Sequence, residues 1–238
     1  MIDDPASILV RFAEAIGRSG LSSSLATRMC LAVAELTGTD GGAITFEYAE
    51  PSRMTLCATD AVAARLEDLQ EVLGEGPGWE AARTLVLVES TLAGASGWPS
   101  FSAQALSEVG DRKMLCAPMR PTGQLIGVLS LHEASDHGQD ADHAVIQFLA
   151  DTVGAALLRD LDWGDAKDSG PWAARSQVHQ ATGMIAAQLR LGTDDAMAVL
   201  RAHAFAQEVS INDVAEQLVQ RRLIFSPGSD RSDPEGSP

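Results

Sequence analysis

Apolar residues recur every three or four positions near the start of the chain. Ile8, Leu9, Phe12 and Ile16 predict one helix, and Leu25, Met29, Val33 and Leu36 predict a second from Ser24 to Thr37, with Gly38 as its stop. The pattern then shortens and fills with β-formers. Ala43 to Tyr48 and Met54 to Thr59 predict a hairpin turned by Glu50-Pro51-Ser52. Leu85 to Val88 reads as a short apolar strand. Lys113 to Met119 and Gln124 to His132 predict a second hairpin across Pro121-Thr122-Gly123, with helical stretches between the two hairpins, notably Phe101 to Val109. Helices around a mostly antiparallel sheet make this an α+β domain.

A long helix follows from about Ala141 to Leu161. Its stripe of Ile146, Leu149, Val153, Leu157 and Leu161 suits either the domain's own core or the seam of a parallel two-helix contact between subunits. The helix joins two domains and has little else to cover its outer face. The seam, and with it a homodimer, is therefore the expectation. The first domain spans 1–163, and residues 164–171 are a polar linker. From 172 to 225 the helical period returns three times. Helix one runs from Trp172 to Arg190 with Val178, Ala181, Ile185 and Leu189 inward. Gly192-Thr193 ends it and caps helix two, which turns Ala196, Val199, Leu200 and Ala204 inward and has Asp194 and Asp195 in its first turn, where the helix dipole favours negative charge. Ser210-Ile211-Asn212-Asp213 fits a capping box ahead of helix three, which carries Val214, Leu218 and Val219. Residues 226–238 read as a disordered tail.

Charge separates the two parts. The chain has 17 basic and 33 acidic residues, a net of −16. Residues 1–163 hold 10 basic and 23 acidic residues, a net of −13, whereas 172–225 hold five of each. Only the second segment can approach phosphate without strong repulsion. The start Met1-Ile2-Asp3-Asp4-Pro5 lacks a signal peptide's basic and apolar regions, and no apolar run reaches the roughly 18 residues of a membrane span. A soluble, cytoplasmic protein is expected, with no membrane partner.

Candidate chemistry is sparse. Gly74-x-Gly76-x-Gly78 lacks the Lys-Ser/Thr of a phosphate loop and does not follow a strand; with Pro77 between glycines it reads as a turn bordering a pocket. His132, His137 and His143 have no thiol or carboxylate at metal-ligand spacing and read as surface or satisfied histidines, so no metal and no cofactor is expected. Cys30, Cys57 and Cys116 form no CxxC pair and read as reduced thiols in or near the core. No nucleophile–base set emerges, so no enzyme activity is expected. Trp98 and Phe101, with Met114 and Cys116, are the candidate lining of a ligand cavity.

Two resemblances organise these readings. Arg175-Ser-Gln-Val-His-Gln-Ala-Thr-Gly-Met-Ile, Asp195-Ala-Met-Ala-Val-Leu-Arg-Ala-His-Ala and Asn212-Asp-Val-Ala-Glu resemble the ANTAR family, the three-helix RNA-binding modules of bacterial antitermination regulators. Many such sequences carry a basic residue between the Ala and Gly of helix one. Here it is Thr182, which removes a phosphate contact that the resemblance implies. Residues 1–160 resemble a GAF domain through Leu73-Gly-Glu-Gly-Pro-Gly78, Trp98-Pro99 and Gly123-Gln-Leu-Ile-Gly-Val-Leu-Ser-Leu131. The order GAF then ANTAR resembles a recurrent actinobacterial arrangement.

The resemblance implies a regulator in which the first domain senses a small molecule or redox signal and the second binds paired RNA stem-loops. On the module's polar faces, Arg175, Gln177, Gln180, Arg190, Arg201, His203, Arg221 and Arg222 are the candidate RNA contacts, and Phe205 and His203 could stack on loop bases. Two alternatives stay open. Helices two and three also fit a helix-turn-helix that reads DNA, although helix three would present Asp213 and Glu216 to phosphate. A protein-interaction regulator without nucleic-acid binding fits the module's zero net charge.

Overall fold

The computed structural model describes residues 4–20, 23–47, 53–94, 97–135, 142–163, 171–207 and 209–225. It divides into two compact units, Met1–Ala173 and Ala174–Pro238. The Glu50-Pro51-Ser52 turn, His137, most of the expected linker and the expected tail lie outside the described residues.

The first unit begins with α1 (Pro5–Arg18) and α2 (Leu25–Thr37). The Ser24 side chain accepts the Thr27 amide at the start of α2, and Gly38 ends it at φ 73°. Next come β1 (Gly41–Glu47), β2 (Arg53–Ala58), α3 (Ala61–Leu73), α4 (Pro77–Thr84) and β3 (Val88–Thr91). After a short 3₁₀ turn the chain forms α5 (Pro99–Val109), β4 (Arg112–Met119), β5 (Gly127–Ala134) and α6 (His143–Trp163). The strands make one five-stranded sheet in the order β2-β1-β5-β4-β3, antiparallel throughout. Both expected hairpins are present, so the α+β reading holds.

Strand alternation sorts the side chains into two layers. Ile44, Phe46, Leu115, Ala117, Met119, Leu129 and Leu131 point to the side covered by α1, α2 and α6. Met114, Cys116 and Val128 point to the side covered by α3, α4 and α5, where Leu66, Leu69, Ala81 and Phe101 complete a second core. One irregularity interrupts this order. Ile44 pairs with Cys57 but Thr45 pairs with Thr55, so Leu56 is an extra residue in β2.

Two expectations are corrected here. Leu85 to Val88 is not a strand. Leu85 ends α4 in the left-handed region at φ 58°, Leu85 and Val86 are exposed, and the strand starts at Val88. The stripe on α6 is not a seam between subunits. Ile146, Leu149 and Val153 are 0% exposed and Leu157 4%, all within the unit's own core. The sheet, absent from a one-dimensional pattern, is what covers them. Two hydrogen bonds tie α6 to its neighbours, from Gln147 Nε2 to Pro118 O and from the Arg120 amide to Asp151 Oδ1, both 2.8 Å. Gly154 lets the helix lie close: a Cβ there would stand 3.0 Å from Ile126 and 3.1 Å from Pro121. The side chain of Leu161 lies outside the described residues.

The second unit contains α7 (Pro171–Leu189) from Ala174 onward, α8 (Thr193–Gln207) and α9 (Ile211–Val219). Its interior is small and apolar: Ala181, Ile185, Ala196, Leu200, Ala204, Ala215 and Leu218 are 0% exposed. Alanines at these positions let helices approach closely. The expected capping box is complete, with Ser210 Oγ accepting the Asp213 amide and the Asp213 carboxylate accepting the Ser210 amide. Past α9 the chain folds back. The Phe225 amide donates to Gln188 Oε1 of α7 at 2.9 Å, and the Phe225 ring meets the His203 ring of α8 edge-on at 5.2 Å.

Candidate ligand pocket and RNA-binding face

The α3–α4–α5 side of the sheet holds a buried polar cluster. Glu67 and Gln70 interrupt the apolar stripe of α3 and are 2% and 0% exposed. Arg53 enters from β2 because its strand position shares a face with Thr45. Its Nη2 donates to Thr45 Oγ1 at 2.9 Å and lies 3.4 Å from Glu67 Oε2. Its guanidinium stands 5.5 Å from the Trp79 ring centre. Gln70 bridges the rest: its Nε2 donates to Glu67 Oε1, its Oε1 accepts the Gly78 amide at 2.7 Å, and its carbonyl accepts Trp79 Nε1. Arg53 Nε and Nη1 have no hydrogen-bond partner among the described residues.

The glycine segment builds the wall of this cluster. Gly74 ends α3 in the left-handed region at φ 67°, and a Cβ on Gly78 would stand 2.5 Å from Arg53 Nη2. Glu75 between them accepts the Phe101 amide at 2.8 Å and so caps α5. Gly74 to Gly76 thus form the expected turn, while Pro77 and Gly78 open α4, and the side chains and amides of the segment serve protein contacts.

A shallow cavity with room for about one water adjoins the cluster, lined by Ala63, Leu66, Glu67, Met114, Ser130 and His132 among others. His132 is 3% exposed, so it is buried rather than superficial: its Nε2 lies 3.2 Å from both Asp60 carboxylate oxygens, while Nδ1 has no partner among the described residues. Burial pushes the Asp60 carboxyl up, but the Ala63 amide, the Thr59 hydroxyl and His132 outweigh it and hold the group below its ordinary range. His143 pairs with Glu89 on the surface. Among the described residues no group of three or more His, Cys, Asp or Glu is placed to hold a metal ion.

Of the residues expected to line a pocket, Met114 borders the cavity. Cys116 lies on the same sheet face, donating to Ser130 Oγ at 3.6 Å, and burial pushes its thiol up to about 12. Phe101 is 0% exposed inside the second core, and Trp98 sits at the start of α5 against that core, so neither lines the cavity. Glu67, Ser130, Arg53 and Gln70 were missed. Only Ser130, between Leu129 and Leu131, carries a sequence signal, a polar residue with apolar neighbours.

On the three-helix unit the candidate RNA contacts spread out. Gln180, Arg190, Arg221 and Arg222 are exposed, whereas Gln177, Arg201 and His203 are half-buried. Arg190 and Arg221 both hold left-handed backbone at helix ends, at φ 59° and 57°. Arg222 lies 3.7 Å from Glu216. His203 is engaged by Phe225, while Phe205 is 50% exposed and belongs to no core. Thr182 is a correction for this unit. It is 6% exposed and donates to Val178 O at 2.8 Å, so position 182 faces inward and the exposed polar surface does not lose a contact there. The side chain of Arg175 lies outside the described residues.

Family comparison decides the first unit. A GAF domain model matches residues 22–158, more than half of the chain. The chain belongs to the GAF domain family. In this GAF protein an ANTAR domain model matches residues 172–219, which cover α8, α9 and nearly all of α7. The pair gives the chain the architecture of a regulator, a sensor domain followed by an effector domain.

Solved structures similar to it include the GAF domain of A. Aeolicus nlh2 in an inactive state, at 9% identity and TM-score 0.47 over 65% of this chain and 96% of that one. The phycocyanobilin-bound GAF domain of a cyanobacterial phytochrome is similar at 16% identity and TM-score 0.45, over 68% of this chain and 99% of that one. An RNA-binding Light-Oxygen-Voltage receptor is similar at 17% identity and TM-score 0.24, over 76% of this chain and 48% of that one. No curated protein matches the chain. Among the described residues no helix is long and apolar enough to cross a membrane.

Proposed function

We propose that this chain is a non-catalytic, signal-responsive regulator of transcription termination, in which the GAF unit senses a small-molecule or redox signal and the ANTAR unit binds paired RNA stem-loops. The observation that carries the reading is the succession of a GAF match and an ANTAR match in one chain. Charge agrees with it, since 172–225 hold five basic and five acidic residues in an otherwise acidic protein. With few cations available, affinity must come from bases as well as phosphates, and unpaired loop bases offer both stacking and hydrogen bonding. Phe205, half-exposed on α8, is the side chain best placed to stack. The cavity beside Glu67, Ser130 and His132, with room for about one water, is the candidate sensor site.

The test is filter binding of the full chain to a two-stem-loop RNA and to a duplex DNA of equal length. Preference for the RNA is expected. Phe205→Ala should weaken RNA binding by about 1–3 kcal/mol, the worth of one stacked base. Arg190→Ala should weaken it less and make the salt dependence shallower, as loss of a phosphate contact does. Equal or tighter binding to the duplex overturns the reading in favour of the helix-turn-helix alternative.

A further inference from the structure

Left-handed backbone suits glycine, and other residues adopt it only with strain. In the first unit α2 and α3 end as that rule asks, on Gly38 at φ 73° and Gly74 at φ 67°. In the three-helix unit arginine takes the same place twice. Arg190 stands just past α7 at φ 59°, and Arg221 just past α9 at φ 57°. Both ends close with the hydrogen bond of a Schellman cap: the Leu191 amide donates to Ala186 O at 3.1 Å, and the Arg222 amide to Gln217 O at 2.8 Å. Each arginine thus occupies the one position of the motif where glycine relaxes the backbone. The helix dipole does not require this. A cation on ordinary helical backbone in the last turn meets the same C-terminal charge.

The two strained ends lie together. The Phe225 amide, four residues past Arg221, donates to Gln188 Oε1, two residues before Arg190. That bond occupies the Gln188 carbonyl and leaves Nε2 as its donor. Arg190 and Arg221 are exposed, and among the described residues neither is in an ion pair, whereas Arg222 lies 3.7 Å from Glu216. Asp194 and Asp195 share this end of the unit, in the first turn of α8, where the helix N-terminus offsets their charge. We propose that Arg190 and Arg221 are the two arms of a phosphate clamp on the RNA backbone, with Gln188 Nε2 as a neutral donor beside them. The clamp rests on the reading of this unit as an RNA binder. It adds the place and the pairing: an RNA strand crosses the end of the bundle where α7 and α9 finish, rather than lying along one helix. Each guanidinium offers a phosphate two parallel N–H donors. Two arms on separate helix ends set both the position and the direction of the strand, as backbone contacts do. Strained backbone kept at a binding site lowers stability in favour of function.

The test sets stability against binding in the full chain. Arg190→Gly, Arg221→Gly and the double variant are melted by circular dichroism and titrated against the two-stem-loop RNA over a series of salt concentrations. Glycine relaxes the left-handed backbone, so each variant should melt at or above the wild-type temperature. Binding should nevertheless weaken. The slope of log K against log salt should become shallower by about 0.7–0.9 for each arginine removed, and by about twice that in the double variant. Arg190→Lys and Arg221→Lys keep the charge and should keep the slope. Wild-type binding with an unchanged slope in the double variant overturns the clamp and leaves the RNA reading standing. A wild type with no affinity for the RNA overturns that reading and the clamp with it. Glycine variants that melt well below the wild type also overturn the clamp, because the arginines then hold the fold.

Discussion

On one side of the sheet, Ile44, Phe46, Leu115 and Leu129 meet the apolar stripe of α6; on the other, Thr45, Ser130 and His132 meet Glu67, Gln70 and Arg53. Both layers are closed to water, but they are held in different ways. The α6 side gains from apolar area, a non-directional term, so its tolerance is set by volume. The α3 side holds a buried cation, a buried carboxylate and a buried amide whose hydrogen bonds depend on one another, so its tolerance is set by partners. A layer of the second kind is the costlier to build, and it is where the cavity lies. The cavity adjoins polar groups already removed from water, among them a His132 nitrogen without a partner among the described residues.

Substitutions can break that comparison. Glu67→Ala strands the Arg53 charge and should cost about 3–5 kcal/mol, the usual penalty for breaking a buried pair. Replacing both members with apolar residues, as in Arg53→Met with Glu67→Leu, should cost much less. Denaturant titration of the three proteins checks this, and equal losses in the single and double variants would mean that packing rather than charge holds the layer. On the α6 side Leu149→Ala should cost about 2–5 kcal/mol through the cavity it leaves. Leu149→Glu should unfold the sensor unit rather than yield folded monomers, a difference visible in circular dichroism.

A smaller effect is expected at the border of the polar layer. Asp60 caps α3 by accepting the Ala63 amide at 2.9 Å, so Asp60→Ala should cost about 1 kcal/mol. Asp60→Asn keeps a cap acceptor and removes the charge beside His132. The fold lowers the Asp60 carboxyl from its ordinary 3.8, so the folded state binds that proton less readily than the unfolded chain. The resulting stabilisation is complete above 3.8 and fades as pH falls through the lower folded value. The stability gap between wild type and Asp60→Asn should therefore close in acid, and a gap that stays constant from pH 6 down to about pH 2 would rule out the charge as its cause.

The two layers were also unequally legible from sequence. The α6 stripe, the hairpins, Ser24 and Gly38 around α2, and the Ser210 capping box are local patterns with periods of two or three to four, or fixed offsets, and each appears where the pattern puts it. What the α6 stripe packs against is not local, and the sheet proved to be its cover. α3 and α4 were not delimited, because Glu67 and Gln70 break the apolar stripe of α3 and α4 is a helix of only eight residues between a glycine turn and Leu85. The partners Arg53 and Glu67, fourteen positions apart, carry no mark of each other in one sequence. Likewise the bulge at Leu56, which decides where Cys57 points, exists only in the pairing of two strands.

The fold-back beyond α9 has a practical meaning for anyone shortening the chain. The ANTAR match stops at residue 219, yet Phe225 is the residue that reaches both Gln188 and His203. A fragment trimmed to the family boundary would leave the Gln188 amide without that partner and remove the ring that meets His203. The smallest self-sufficient effector piece therefore extends at least six residues past that boundary, to Phe225.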